Sequence, residues 1–303
     1  MHALIAGSSG FLGNALVEHL TGEGHRVTRL VRRTAGSGER RWDPYAGPLD
    51  PDVLADVDVV VNLAGSPTFG NPRSRKWARN LRDSRVTTTR ALAEAIASGA
   101  HRPALLAGNG ISWYGDHGDQ PLTEDADTRG HSLLTDVTRE WQQATEAAAE
   151  VGARVVVLRT APVLDAASPP LKQLRILFSL GLGGPIDAGH QFFPVISRRD
   201  WVGAVAHLAT GEASGPVNLC APRTPTNADF TTALANALHR PAMLRVPSAA
   251  IRLAAGPMAP ELLGSVRAVP QRLLDDGYEF ADPDVRSILA AAFAPAAPGR
   301  LSR

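Results

Sequence analysis

Four short stretches of this chain are apolar at nearly every position rather than at alternate ones: ALIA at 3 to 6, VDVVVNLA at 57 to 64, ALLA at 104 to 107 and RVVVLR at 154 to 159. A strand with apolar side chains on both faces has to be covered on both faces. RVTRLV at 26 to 31 adds a fifth run, and segments of helical period separate them at 11 to 22, roughly 74 to 98 and about 132 to 151. Strands that alternate with helices close as right-handed crossovers, so the pattern predicts an α/β fold, a Rossmann-like doubly wound parallel sheet. With 303 residues and 44% hydrophobic content, the chain can bury one large core or two unequal lobes.

The rhythm changes after Arg159. Pro169 and Pro170 lead into the glycine-rich passage GLGGPIDAGHQFFP, followed by a helix opening near Asp200, a strand at GPVNLCA and a helix from about Asn227. A further strand, LRVP, and three helices are expected between 241 and 293. We therefore expect a Rossmann domain over 1–165 and a smaller C-terminal α+β substrate lobe over 166–293. The composition of PAAPGRLSR predicts a disordered tail at 294–303.

Lys and Arg total 31 against 30 Asp and Glu, so no global field recruits nucleic acid or an anionic membrane, although a local patch could. No apolar run reaches about 18 residues, and MHALIAG enters a strand with no basic leader. Neither a membrane nor a nucleic-acid partner is expected, and a cytoplasmic setting is. Cys220 is the one cysteine and is read as a buried packing residue.

The loop GSSGFLG joins the first strand to the first helix, with Gly7, Gly10 and Gly13 at three-residue intervals around Ser9, Phe11 and Leu12. Backbone N–H groups at a helix N-terminus favour a diphosphate, and glycines permit the tight turn and close helix packing it needs. About 20 residues beyond such glycines an acidic side chain would bind a free ribose 2′-hydroxyl. Arg32 and Arg33 stand there instead. Forked guanidinium donors suit a 2′-phosphate, which predicts NADP(H) over NAD(H) by at least about tenfold. The competing readings of RRTAGSGERR are a solvated basic loop and a nucleic-acid patch.

With these features, NLAG at 62 to 65, RDSRVTTTRAL at 82 to 92, WYGDHGD at 113 to 119, GLGGPIDAGHQFF at 181 to 193 and TNADF at 226 to 230, the chain resembles the extended short-chain dehydrogenase/reductases. More narrowly it resembles their atypical sugar-nucleotide-epimerase-like branch, and PSAAIRLAAG with VPQRLLDDGYEF resembles that branch's small C-terminal module, here at about 247–293. The resemblance implies that Gly7, Gly10, Phe11, Leu12 and Gly13 line the diphosphate and that Arg32 reads the adenosine phosphate. Leu63 and Ala64 would face the adenine and its ribose, Asn80 and Arg85 would point toward the cofactor, and Val163 would lie near the nicotinamide. The other reading of Arg85 is a surface charge paired with Asp83 or Glu94.

The wider superfamily uses a serine, then a tyrosine and a lysine four residues apart, the tyrosine acting as acid or base. No Y-x-x-x-K occurs in this chain; the tyrosine position falls at about Leu134 and the lysine position at about Thr138. Asn109 stands where the serine is expected, and Val195 and Ser197 replace a tryptophan and a histidine of the relatives' pocket. The residues expected near the cleft are Asn109, Ser112, Tyr114, His117, His190 and Gln191. Tyr114 is the best acid, with packing beside Trp113 as its alternative, and Asn109 would polarise a substrate oxygen. Asp116, His117 and Asp119 read as a solvated turn, so no metal site is expected. Two functions remain open: an NADP(H)-dependent oxidoreductase or epimerase-like enzyme acting on a small-molecule carbonyl, enone or alcohol, and an NADP(H)-sensing regulatory protein without turnover. A homodimer is left open.

Overall fold

The computed structural model describes residues 1–68 and 70–294. The strands are β1 (His2–Ala6), β2 (Arg26–Val31), β3 (Glu39–Arg41), β4 (Val59–Asn62), β5 (Ala104–Gly110), β6 (Pro121–Leu122), β7 (Val155–Thr160), β8 (Val163–Leu164), β9 (Ile196–Ser197), β10 (Gly215–Leu219) and β11 (Arg267–Ala268). The helices are α1 (Phe11–Gly22), α2 (Arg75–Ser98), α3 (Leu133–Gln143), α4 (Glu146–Glu150), α5 (Pro169–Ser179), α6 (Arg198–Thr210), α7 (Asn227–Leu238), α8 (Ser248–Ala255), α9 (Ala259–Leu263), α10 (Gln271–Asp275) and α11 (Val285–Phe293).

Seven strands form one sheet in the order β10-β7-β5-β4-β1-β2-β3. Every pairing in it is parallel. The order reverses between β1 and β4, the switch point where such sheets bind ligands beyond the strands' carboxyl ends. One face packs Leu16, Leu20, Val205 and Leu208 of α1 and α6 against Ile5, Val61 and Leu158. The other packs Leu92 and Ile96 of α2 against Leu4, Val60 and Leu105. The uniformly apolar strand runs thus have a partner layer on both sides.

Several elements depart from expectation for identifiable reasons. β3 has the sequence Glu-Arg-Arg and, among the described residues, pairs with β2 alone, as a charged edge strand can without an apolar signature. The helix expected over 132–151 breaks between α3 and α4, where Thr145 Oγ1 donates to the Gln142 carbonyl at 2.8 Å and competes with the helical ladder. Pro169 and Pro170 open α5 rather than a loop, because proline's fixed φ and missing N–H suit a first helical turn. LRVP contributes a single parallel bridge, Val246 with Ile186.

After residue 165 the chain re-enters the central sheet: α6 packs beside α1, and GPVNL becomes edge strand β10. A separate apolar cluster joins Leu171 and Phe178 of α5, Phe230 and Leu234 of α7, and Ile288 and Leu289 of α11. The tail expected at 294–303 lies, apart from Ala294, outside the described residues.

Candidate cofactor and active site

The turn after β1 is set by sterics. Gly7 has φ +78°, and a Cβ there would lie 2.5 Å from the Leu63 carbonyl carbon and 2.6 Å from the Ala64 nitrogen. The end of β4 therefore touches the glycine turn. A Cβ on Gly13 would approach the Gly7 oxygen to 2.2 Å, so α1 rests directly on the turn. Gly10 is less constrained, at 3.3 Å from the same oxygen. It is the N-cap of α1, with no side-chain cap and no acid in the first turn, which leaves the leading amides as donors for an anion. Ser9 is exposed, and the half-buried Phe11, Leu12 and Leu63 pack on the cluster that contains buried Val163.

The two arginines after β2 differ. Arg33 donates two bonds to Glu39, at 2.7 and 2.6 Å, and Glu39 also accepts from the Gly36 N–H at 2.8 Å. These bonds hold the Arg33 guanidinium above its ordinary pKa and the Glu39 carboxyl below its own. Arg32 is exposed, and among the described residues its side chain has no hydrogen bond or ion pair.

Arg85 pairs with neither Asp83 nor Glu94. Its guanidinium donates to the Leu81 carbonyl at 2.9 Å, the Ser66 carbonyl at 3.2 Å and Thr68 Oγ1 at 3.1 Å, and lies 5.2 Å from the Trp141 ring centroid. Burial without a carboxylate lowers its pKa to about 10. A Cβ on Gly65 would sit 3.3 Å from Arg85 Cζ, so the cation adjoins the end of β4. Asn80, exposed one turn earlier, accepts Ser66 Oγ at its carbonyl at 3.2 Å. Gly7, Leu63, Ala64, Asn80 and Arg85 thus converge at the switch point.

Sequence reasoning missed Asn62, which is fully buried. It accepts the Ala64 N–H at 3.1 Å and donates to Thr89 Oγ1 at 2.8 Å, and the Trp141 indole donates to the same hydroxyl at 2.7 Å. This chain of bonds sets the end of β4 against α2 and α3. A polar residue closing the apolar run VVVN was the available signal.

The catalytic expectation for Tyr114 requires correction. Its side chain is 0% exposed and packs with Leu122 and Ala268. The hydroxyl donates to Asn218 Oδ1 at 2.8 Å, lies 3.0 Å from the Thr123 carbonyl and accepts from Arg159 at 3.0 Å. Burial pushes its pKa up to about 12. In this arrangement the hydroxyl is sealed from solvent and its hydrogen bonds are satisfied within the protein. Asn109 needs the same correction, because it is 4% exposed and both ends of its carboxamide are engaged. Nδ2 donates to the Thr138 carbonyl at 3.0 Å, and Oδ1 accepts the Gly110 N–H at 2.7 Å. Asn109 therefore fastens α3 to the end of β5.

The other cleft candidates separate. His117 is buried and reaches Asp127 at 3.2 Å, while His190 is exposed and Gln191 half-buried. Ser112 lies just past β5, and its carbonyl accepts Thr135 Oγ1 at 2.9 Å. A cavity of about 610 Å³ opens elsewhere, between α3, α4 and the β7–β10 edge, lined by Trp113, Gln142, Val157 and Pro216 among others. It shares no residue with the glycine turn.

The sheet, its switch point and the glycine turn define a nucleotide-binding α/β protein of the short-chain type. Residues 3–169 match the NAD dependent epimerase/dehydratase family, and the chain belongs to it. Residues 246–292 match a domain of unknown function, DUF1731. The chain is 42% identical over 283 residues to the epimerase family protein Mb2239 of Mycobacterium bovis, covering 91% of this chain and 92% of that one. It is 34% identical to human epimerase family protein SDR39U1, covering 95% of this chain and 98% of that one. A crystal structure of the human protein (isoform 2) with NADPH superposes with a TM-score of 0.83 at 30% identity, covering 96% of this chain and 99% of that one.

Proposed function

We propose that this chain is an NADP(H)-dependent oxidoreductase or epimerase-like enzyme acting on a carbonyl, enone or alcohol of a small molecule. The observation that carries the reading is the cradle at Gly7 and Gly13, where a Cβ would overlap backbone, beside two cations, Arg32 and Arg85, that have no carboxylate partner among the described residues. Gly7, Ser9, Gly10, Phe11, Leu12 and Gly13 would enclose the diphosphate. Arg32 would take the 2′-phosphate, with Arg33 shaping the loop through Glu39. Leu63 and Ala64 would flank the adenosine half, Asn80 and Arg85 would hold polar groups of the cofactor, and Val163 would close the nicotinamide side. The human relative solved with NADPH supports the choice of cofactor.

NADP(H), when bound, supplies the hydride, and the chain's own residues position it. Proton transfer is the unusual part. Besides Tyr114, the chain has Tyr45, 58% exposed on the arginine-loop side, and Tyr278, whose hydroxyl donates to the Asp200 carbonyl at 3.1 Å. The two lysines, Lys76 and Lys172, are exposed on α2 and α5. No tyrosine and lysine therefore act as a couple at the end of β5, and solvent or the substrate itself would carry the proton. The same observation favours a second reading, an NADP(H)-sensing protein without turnover.

The test is a thermal-shift titration with NADPH, NADP and NAD, followed by NADPH oxidation against ketones, enones and sugar nucleotides. A nucleotide at 100 times its dissociation constant should add roughly 2.7 kcal/mol of stability. Absence of a shift with all three would end both readings. Binding without turnover on any class would leave the sensor.

A further inference from the structure

The large apolar side chains most exposed among the described residues gather in one region. Apart from Tyr45, Leu262 and Leu274, they are Ile176, Leu177, Leu180, Leu182, Met243, Leu244 and Leu253, with Met243 at 89% and Leu253 at 75% exposure. They come from the end of α5, the glycine passage after it, the segment before α8 and α8 itself. These pieces are adjacent. A Cβ on Gly184 would overlap the Leu244 carbonyl, Val246 bridges to Ile186, and the Ser248 N–H donates to Asp187 at 2.9 Å. α8 reads SAAIRLAA and buries none of its residues.

Exposed apolar area of this extent marks a contact surface, and its rim identifies the partner. Residues 172–187 and 240–257 contain Lys172, Arg175, Arg240, Arg245 and Arg252 but one carboxylate, Asp187, and all five cations are exposed. Asp187 already accepts the Ser248 N–H. A second copy laid on the same face about a two-fold axis would oppose cations to cations. Lys172 and Ile176 on α5 and Leu180 at its C-cap follow at four-residue intervals along the exposed side, a cation above two apolar residues. Apolar side chains within a cationic rim match the acyl and headgroup layers of an anionic bilayer.

We propose that the face formed by α5, residues 180–184, residues 243–246 and α8 docks on an anionic lipid surface. This differs from spanning a membrane: among the described residues no helix is long and apolar enough to cross one. Nor does it need a strong global charge, because headgroup attraction acts within a Debye length of the surface.

The experiment is flotation of the full chain with vesicles of phosphatidylcholine alone and of phosphatidylcholine mixed equally with phosphatidylglycerol. The protein should float with the anionic vesicles and not the neutral ones, and added salt should release it. Leu180→Asp combined with Met243→Asp should lower partitioning at least about tenfold, since both side chains would leave the acyl layer. Arg240→Gln and Arg245→Gln should each lower it about fivefold. All variants should keep the wild-type melting temperature, because none of the four side chains is buried. Failure to float with either vesicle, or equal flotation with both, would overturn the proposal. So would a dimer seen by light scattering that Leu180→Asp with Met243→Asp dissociates, which would assign the face to a second copy.

Discussion

The glycine turn after β1 and the end of β5 lie at the same edge of one sheet with β4 between them, yet they are built by different physics. At the first, backbone touches backbone: Gly7 meets Leu63 and Ala64, and Gly13 meets Gly7, at distances no side chain tolerates. At the second, side chains hold the shape: Asn109 ties β5 to α3, while Tyr114, Arg159 and Asn218 form a sealed network with Glu124. A steric requirement of the backbone is written into the residue type itself. The role of a tyrosine or an asparagine depends on which tertiary neighbours enclose it.

The difference between the two regions is greatest at Gly13, whose Cβ would meet backbone. Gly13→Ala should cost at least about 2 kcal/mol and remove the melting shift with NADPH, because its Cβ would overlap the Gly7 carbonyl. Chemical denaturation with and without nucleotide checks it. A variant of wild-type stability with full NADPH binding would show that the turn relaxes and that backbone contact does not set this site.

Tyr114→Phe tests the other region. Without the hydroxyl, Asn218 loses a donor and buried Arg159 an acceptor, at a cost of about 1 to 3 kcal/mol. NADPH affinity should stay at the wild-type value. Should the protein keep its stability and lose turnover instead, Tyr114 would return as the acid, and the enclosed geometry would have to open during the reaction.

These outcomes bear on how much of the molecule the residues disclosed. The parallel sheet followed from runs such as VVVN and ALLA, since burial on both faces leaves no alternation to read. β3 left no such trace, because Glu39–Arg41 is charged and gains its place by pairing with β2. α5 was hidden by Pro169 and Pro170, residues that open a helix as readily as a loop. Of the site, Gly7, Gly13, Leu63, Ala64 and Arg85 do converge. Asn109 and Tyr114 turn out to be enclosed, which a position at the carboxyl end of a strand does not disclose, since it says nothing of which way the side chain is sealed.

Arg32 and Arg33 repeat the contrast on a smaller scale. Arg32→Glu should reduce the preference for NADPH over NADH by about tenfold, seen in parallel binding titrations. Arg33→Gln should reduce it less, since that guanidinium is bound to Glu39. Equal losses at the two positions would mean that Arg33 leaves Glu39 when the nucleotide binds.

The smallest effect concerns Glu124, which is 3% exposed and accepts the backbone N–H groups of Asn218 and Arg272. Burial raises its pKa, so between the ordinary carboxyl value and the raised one the folded state binds more proton than the unfolded state. Stability should therefore fall as pH rises through that window and level off above it. Glu124→Gln keeps an acceptor oxygen but cannot titrate, so it should flatten this part of a denaturation series across acidic pH. An unchanged slope would move the titration to another group and leave the network around Tyr114 neutral to pH.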